Sequence, residues 1–264
     1  MYDYHTHTNF SEDCFVPMEH MIDRAVSLGL TAYAITDHYD PDYCNHDYTF
    51  SLDFPSYHEA LLSAQHKYKS SIRVVKGIEL GIQLGEPMQK CRDAALGFPY
   101  DFIIGSIHCA EGQDVYMHDY YEGRSPEDVY RGFYAYMLEC FKQFKDYDVI
   151  GHFNIIDRYA PVVPDDSAYM DIVKEIMQLI INDGKGIEIN TSSDRHASGR
   201  RTPTKELLQM YVDLGGETVT TGSDAHDLEI VGRGLSEAHD MIIAAGLKYV
   251  AVFKDRKVSY IKIA

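Results

Sequence analysis

No run of eighteen apolar residues occurs in the 264-residue sequence, so no membrane-spanning helix is expected. The first residues, Met1-Tyr2-Asp3-Tyr4-His5, have neither a basic cluster nor an apolar stretch. That argues against a secretory leader and points to the cytoplasm. Cysteine is scarce. Cys14, Cys44, Cys91, Cys109 and Cys140 are scattered, odd in number and without C-x-x-C spacing. Free thiols in a reducing compartment are therefore expected rather than a disulfide framework. Basic residues are outnumbered, 24 Lys and Arg against 41 Asp and Glu, for a formal net charge of −17. Such a surface repels phosphate backbones and anionic lipid, which excludes nucleic acid and membranes as partners. No linker, low-complexity tract or internal repeat divides the chain, so one domain over residues 1–264 is expected.

What the sequence does have is alternation. β-rich runs at 2–6, 31–36, 72–79, 102–108, 149–153, 186–190 and 218–222 are separated by amphipathic stretches, and an eighth run follows at 249–253. Several runs are continuously apolar or β-branched, the pattern of strands buried on both faces. The helices between them carry start and stop signals. Pro17 opens one that Gly29 closes, Ser125-Pro126-Glu127-Asp128 reads as an N-cap followed by an N1 proline, and Thr202-Pro203 repeats the device. Ile172, Ile176, Leu179 and Ile180 form an apolar stripe, and a last helix starts at Ser236. Repeated β-then-α units predict a parallel barrel or a doubly wound sheet. Two connections, 39–55 and 111–125, are long enough to be lids or binding loops.

Six of the thirteen histidines fall where a strand turns into a loop. His5 and His7 form an H-x-H pair, and alternate residues of a strand share a face, so both rings can reach one ion. Asp37-His38 ends the second strand, Glu79 the third, His108 the fourth and His152 the fifth, and Asp224-Ala225-His226 follows the seventh. In parallel β/α barrels those ends form the active face. Imidazole with carboxylate suits zinc, manganese or iron. No cysteine joins the set, which argues against a structural zinc cage, and there are too many ligands for one ion.

The ordered set H-x-H, T-D-H, G-x-E, S-x-H, G-H-F and S-D-A-H resembles the PHP (polymerase and histidinol phosphatase) family. The motifs G-H-F-N-x-x-D-R and I-N-T-S-x-x-R are most similar to its histidinol-phosphate phosphatases. The resemblance implies a distorted (β/α)7 TIM-like barrel with three divalent ions. It implies that His5, His7, Glu79 and Asp224 hold a first ion, that Glu79, His108 and His152 hold a second with Glu79 bridging, and that Asp13, His38 and His226 hold a third. Asp13 is preferred to its neighbour Glu12 because it matches the spacing from His5. The implied reaction is hydrolysis of a small phosphorylated metabolite, L-histidinol phosphate, by attack of a metal-bridging hydroxide on phosphorus. Zinc, manganese or iron would serve, and the cluster would reverse the acidic field locally so that a dianion can approach.

Arg158 and Arg195 follow the fifth and sixth strands and fit as phosphate clamps, since a guanidinium fork matches phosphate oxygens. His196, Arg200 and Arg201 lie near Arg195 as alternatives. Asp37 would orient a ligand or donate a proton to the leaving group. His118 would contact substrate. Tyr39, Tyr43, Tyr48, Tyr116, Tyr120 and Tyr121 would stack on a substrate ring or pack a lid. His20, His58, His66 and His239, within helical stretches, are expected at the surface. Three other readings compete: a family member acting on a nucleotide or sugar phosphate, an amidohydrolase, and a non-enzymatic binding module. Amidohydrolase barrels also begin with H-x-H, but they often bridge their metals with a modified lysine on strand four, where this chain has His108.

Overall fold

The computed structural model describes residues 1–195 and 200–264, without the side chains of Asp194 and Arg195. Seven parallel strands make a nearly closed barrel: β1 (Tyr2–Asp3), β2 (Ala32–Ile35), β3 (Arg73–Gly81), β4 (Phe102–Ser106), β5 (Val149–Ile150), β6 (Gly186–Asn190) and β7 (Val219–Gly222). Each pairs with the next in register, as in Tyr2 with Ala32, Gly77 with Phe102, and Ile187 with Val219. The ring closes without a full ladder. Tyr4 N–H donates to the Thr221 carbonyl at 2.8 Å, Asp224 N–H donates to the His5 carbonyl at 2.8 Å, and Thr6 bridges to Ala225.

Helices α1 (Met18–Ser27), α2 (Phe54–Tyr68), α3 (Glu86–Leu96), α4 (Pro126–Gln143), α5 (Met170–Asn182), α6 (Lys205–Asp213) and α7 (Leu235–Ala244) lie between the strands. The start signals act as expected at α4, where the Ser125 side chain accepts from Asp128 N–H. They mislead at α6. Thr202-Pro203 precedes the helix, and Thr204 is the cap, accepting from Leu207 N–H.

The run at 249–253 does not extend the barrel. It forms β8 (Tyr249–Lys254), which pairs antiparallel with β9 (Lys257–Lys262). Ala251, Val252 and Phe253 of β8 pack against Tyr4, Ala32, Val75, Phe102 and Val149 in a second apolar cluster. The hairpin turn meets Asp101 and Asp148, the residues just before β4 and β5: Arg256 donates from Nε to Asp148 and from its backbone N–H to the Asp101 carbonyl. The hairpin thus plugs the N-terminal end of the barrel, and the C-terminal mouth is where side chains meet solvent. No helix among the described residues is long and apolar enough to cross a membrane.

One expectation is overturned. Cys44 and Cys109 form a disulfide, with Cα atoms 6.3 Å apart, while Cys14, Cys91 and Cys140 are free and buried. The 65-residue separation carries no signal, and only the fold brings the loop after β2 beside the end of β4. Cutting the bond with Cys44→Ser should lower stability by up to about 4 kcal/mol on the chain-entropy scale for such a loop. A thermal melt of the variant against the wild type checks this, and an unchanged midpoint would refute it.

Candidate metal centre

The strand ends deliver their side chains to one point. Glu79 is fully buried at its centre. Its Oε2 lies 3.1 Å from His5 Nε2, 3.5 Å from His7 Nε2 and 3.0 Å from His38 Nδ1. Its Oε1 lies 3.0 Å from His152 Nε2 and 3.4 Å from His108 Nε2, and accepts from Ser106 Oγ at 2.6 Å. Asp224 Oδ1 is 3.5 Å from His7 Nε2 and 3.8 Å from His5 Nε2. Asp13 Oδ2 is 3.3 Å from His226 Nε2 and 3.7 Å from His38 Nε2. Glu12 turns away and accepts from Thr49 N–H at 2.5 Å.

Local backbone makes this convergence possible. His152 and Asp224 adopt positive φ, 27° and 53°, where only glycine is at ease. Each kink lies two residues past the end of its strand, Ile150 of β5 and Gly222 of β7, and re-aims that side chain into the barrel mouth. Gly222 has no room for a side chain, because a Cβ there would strike His5 and Glu188. Gly222→Ala should therefore displace His5, lower metal content and reduce activity by 10- to 100-fold or so, as losses around metal ligands commonly do. Elemental analysis of the purified variant decides it; wild-type metal content would refute the packing argument.

The electrostatics favour bound cations. Burial opposes ionisation of Glu79 and Asp224, yet the histidines around them outweigh it and hold both carboxyls well below the usual range. Burial and the neighbouring rings of His226 and His38 keep His7 neutral, and burial lowers His152 as well. At His38 burial is outweighed by Glu79 and Asp13, which raise it to about 9. The field that draws a proton onto His38 would equally draw a divalent ion. His5 Nε2, His7 Nε2, His38 Nδ1, His226 Nε2 and Glu79 Oε2 are buried without a hydrogen-bond partner among the described residues. Such atoms are costly unless they ligate something. Groupings of His5, His7 and Asp224; of His5, Glu79 and His152; and of His7, His38 and His226 each bring ligand atoms within 4.8 Å of one another. The residues present thus fit divalent metal ions.

A cavity of about 470 Å³ opens above the cluster. Arg158 lines it, buried, donating from Nη2 to Asn190 Oδ1 at 2.9 Å and to Thr202 Oγ1 at 3.2 Å. Arg195 was the other expected clamp. Its side chain lies outside the described residues, as does His196, and Arg200 is turned to Asp157 instead, with Nε 3.1 Å from Oδ2.

Other expectations fare unevenly. His118 is exposed and does not line the cavity, since the short turn His118–Tyr120 directs it to solvent and leaves Met117 and Tyr116 at the wall. Tyr43, Tyr48 and Tyr116 line the cavity, whereas Tyr120 and Tyr121 belong to the core and Tyr39 packs on Phe54. Asp37 does not reach the cavity. It is fully buried and accepts from Thr8 N–H, Thr8 Oγ1 and Ser11 Oγ at 2.6, 2.8 and 2.7 Å. Ser11 Oγ in turn accepts from His7 Nδ1 at 3.2 Å, so Asp37 steadies a ring through a hydroxyl. Of the helical histidines, His20 and His66 are exposed, but His58 and His239 are half-buried, and His58 stacks on Phe98.

Sequence reasoning missed three groups. Asp40 accepts from His108 Nδ1 at 2.6 Å and lines the cavity, Glu188 accepts from His5 Nδ1 at 2.7 Å, and Ser106 donates to Glu79. Asp40 and Ser106 each lie two residues from a histidine at a strand end, and Glu188 lies two before Asn190. Same-face alternation along a strand could have found them.

A parallel barrel with imidazoles and carboxylates gathered under a cavity at its C-terminal mouth defines a metal-dependent β/α-barrel hydrolase. The chain belongs to the PHP domain family, whose sequence profile matches residues 3–192. It is 29% identical to the histidinol-phosphatase of Lactococcus lactis subsp. lactis strain IL1403, over 97% of this chain and 95% of that one. It is also 29% identical to the "probable histidinol-phosphatase" of Clostridium acetobutylicum, over 98% and 99%. The crystal structure of the Lactococcus lactis histidinol phosphate phosphatase, complexed with Zn, L-histidinol and phosphate, superposes with a TM-score of 0.86. That match has 26% identity and covers 98% of both chains.

Proposed function

We propose that this protein hydrolyses L-histidinol phosphate to L-histidinol and phosphate in histidine biosynthesis, as a single catalytic domain over residues 1–264. The observation that carries the reading is Glu79, whose two oxygens face five histidine nitrogens within 3.5 Å beneath a cavity that Arg158 enters. The Lactococcus lactis relative, crystallised with zinc, L-histidinol and phosphate, supports the same substrate here. We assign His5, His7, Glu79 and Asp224 to one ion, Glu79, His108 and His152 to a second, and Asp13, His38 and His226 to a third. This donor set suits zinc, manganese or iron.

Bound divalent ions would acidify water and offset charge on the phosphoryl oxygens. The chain's own residues do the rest. Arg158 turns its buried guanidinium toward the phosphate, with Asn190 and Thr202 holding the fork. Arg195, on the short turn Ser192–Arg195, would supply the second clamp, so Arg195→Met should raise the Michaelis constant and leave the metals in place. Asp114 lines the far wall, its carboxylate held by Asn45 Nδ2 and Tyr116 N–H, and would face the substrate's ammonium. Tyr43, Phe50 and Tyr159 offer flat faces to an imidazole. The free thiols of Cys14, Cys91 and Cys140 favour a reducing setting such as the cytoplasm. The Cys44–Cys109 bond pulls the other way, and alkylation of the protein in intact cells reads the state of that pair.

The test is phosphate release from L-histidinol phosphate beside a generic aryl phosphate. A kcat/KM on the order of 10⁴ M⁻¹s⁻¹ or above, far exceeding the aryl ester, is expected. Equal slow turnover of both would move the substrate to another phosphate ester. No release from metal-loaded protein would overturn the reading.

A further inference from the structure

Glu188 has no part in the assignments above, yet it bonds to three residues of the site, His5, His152 and Asn190. It lies on β6, 1% exposed, inside the barrel. Its two oxygens serve different sides of the site. Oε1 accepts from His5 Nδ1 at 2.7 Å. Oε2 accepts from the His152 backbone N–H at 2.9 Å and from Asn190 Nδ2 at 3.2 Å.

We infer that Glu188 is a positioning residue which sets the ring orientation of His5, the turn at His152 and the direction of Arg158 together. The inference rests on the metal reading of the site, and three arguments support it.

The first concerns His5. A neutral imidazole that donates from Nδ1 keeps its lone pair on Nε2. Nε2 of His5 has no hydrogen-bond partner among the described residues and points at Glu79 Oε2, 3.1 Å away. Glu188 would therefore hold the neutral, metal-binding form of the ring with its lone pair inward, the common role of a carboxylate behind a metal-binding histidine.

The second concerns His152. Its φ of 27° is costly for a residue with a side chain. The bond from its N–H to Glu188 is one interaction that holds this turn, and the turn aims Nε2 at Glu79 Oε1, 3.0 Å away.

The third concerns Asn190. Its amide nitrogen donates to Glu188 and also to Asp224 Oδ2, both at 3.2 Å. With both N–H groups committed to carboxylates, the amide oxygen must face the other way. There it accepts from Arg158 Nη2 at 2.9 Å. Gly222 completes the arrangement by leaving space for Glu188 and His5.

The experiment uses Glu188→Gln and Glu188→Asp in the full chain. Glutamine keeps the volume but can accept with only one atom, so it must donate toward His5 or fail its bonds to His152 and Asn190. Ring ¹H–¹⁵N spectra of metal-free protein, with His5 assigned through a His5→Asn control, should show a strongly hydrogen-bonded Nδ1–H at His5 in the wild type, whether or not Nε2 carries a proton. In the glutamine variant that hydrogen-bonded Nδ1–H signal should weaken or disappear. Metal affinity, measured against a competing chelator, should fall by 10- to 100-fold in Glu188→Gln, with kcat falling more than KM rises. Glu188→Asp, which still accepts, should recover part of both.

Wild-type ring signals and wild-type metal affinity in Glu188→Gln would overturn the inference. If Glu188→Gln does not fold, Glu188→Asp decides: a retained Nδ1–H signal at His5 with intermediate metal affinity supports the inference, and wild-type metal affinity without that signal overturns it. Since the ring measurement needs no metal, its result stands apart from any failure of the metal assignment itself.

Discussion

Glu79→Gln should leave a folded protein that has lost most of its metal and releases phosphate at least about 10³-fold more slowly. The substitution removes one negative charge and almost no volume. In its place comes an amide N–H₂ that would point at some of the five histidine nitrogens lying within 3.5 Å. Those nitrogens must offer lone pairs to bind an ion, and an amide donor competes for them. Removing one charge from a buried, mutually compensated set typically costs about 3–5 kcal/mol, enough to account for a loss of that size. Secondary structure should survive, because Glu79 sits within β3 among apolar neighbours that the change does not touch. Thermal stability should become insensitive to added metal, since the folded state no longer gains by binding it. Elemental analysis with circular dichroism checks all three points. Full metal occupancy with full activity would remove Glu79 from the centre of the site.

The second large effect is expected at Arg158, and it should look different. Arg158→Met should retain the metals while kcat/KM falls by roughly 10²- to 10³-fold, the usual cost of losing a preorganised donor to developing charge. Two of the guanidinium's contacts, to Asn190 and Thr202, hold it in place. Its Nε is buried at the cavity with no partner among the described residues, so part of the fork is unspent. Inhibition by inorganic phosphate should weaken in parallel, because phosphate would use the same fork. A variant with wild-type phosphate inhibition and turnover would show that Arg158 serves the fold alone. Loss of metal in this variant would show that its contact with Asp224, 3.7 Å from Nη1, matters more than any contact with substrate.

The two variants separate what was legible in the sequence from what was not. Histidines at strand ends were legible because a polar residue terminating an apolar run is conspicuous, and six such endings align at one face. Asp13 was legible by spacing, and its Oδ2 lies 3.3 Å from His226 Nε2. Glu188 was not legible, since a carboxylate in the middle of Gly186–Asn190 reads as an interruption until its partners across the barrel are known. Asp40 lay in a segment read as loop, although it alternates with His38. The Cys44–Cys109 bond depends on two connections meeting in space, which no local pattern records. Strand limits were overestimated at β1 and β5 for one reason. The residues that end those strands abandon ladder pairing to aim side chains inward, and backbone conformation at His152 is not a property of its composition.

Barrel closure has a consequence for how the site comes into being. His5 and His7 follow the first strand made, Asp224 and His226 follow the last strand of the ring, and the two ends meet through bonds such as Tyr4 N–H to Thr221 and Asp224 N–H to His5. Tyr4 is then fastened from below, its hydroxyl accepting from Phe253 N–H at 3.1 Å. On a ribosome the first two proposed ligands emerge early and wait for more than two hundred residues of synthesis before their partners exist. An ordered metal centre therefore cannot precede the completed ring, and truncation within β8 would strike the same ligands from the opposite end of the gene.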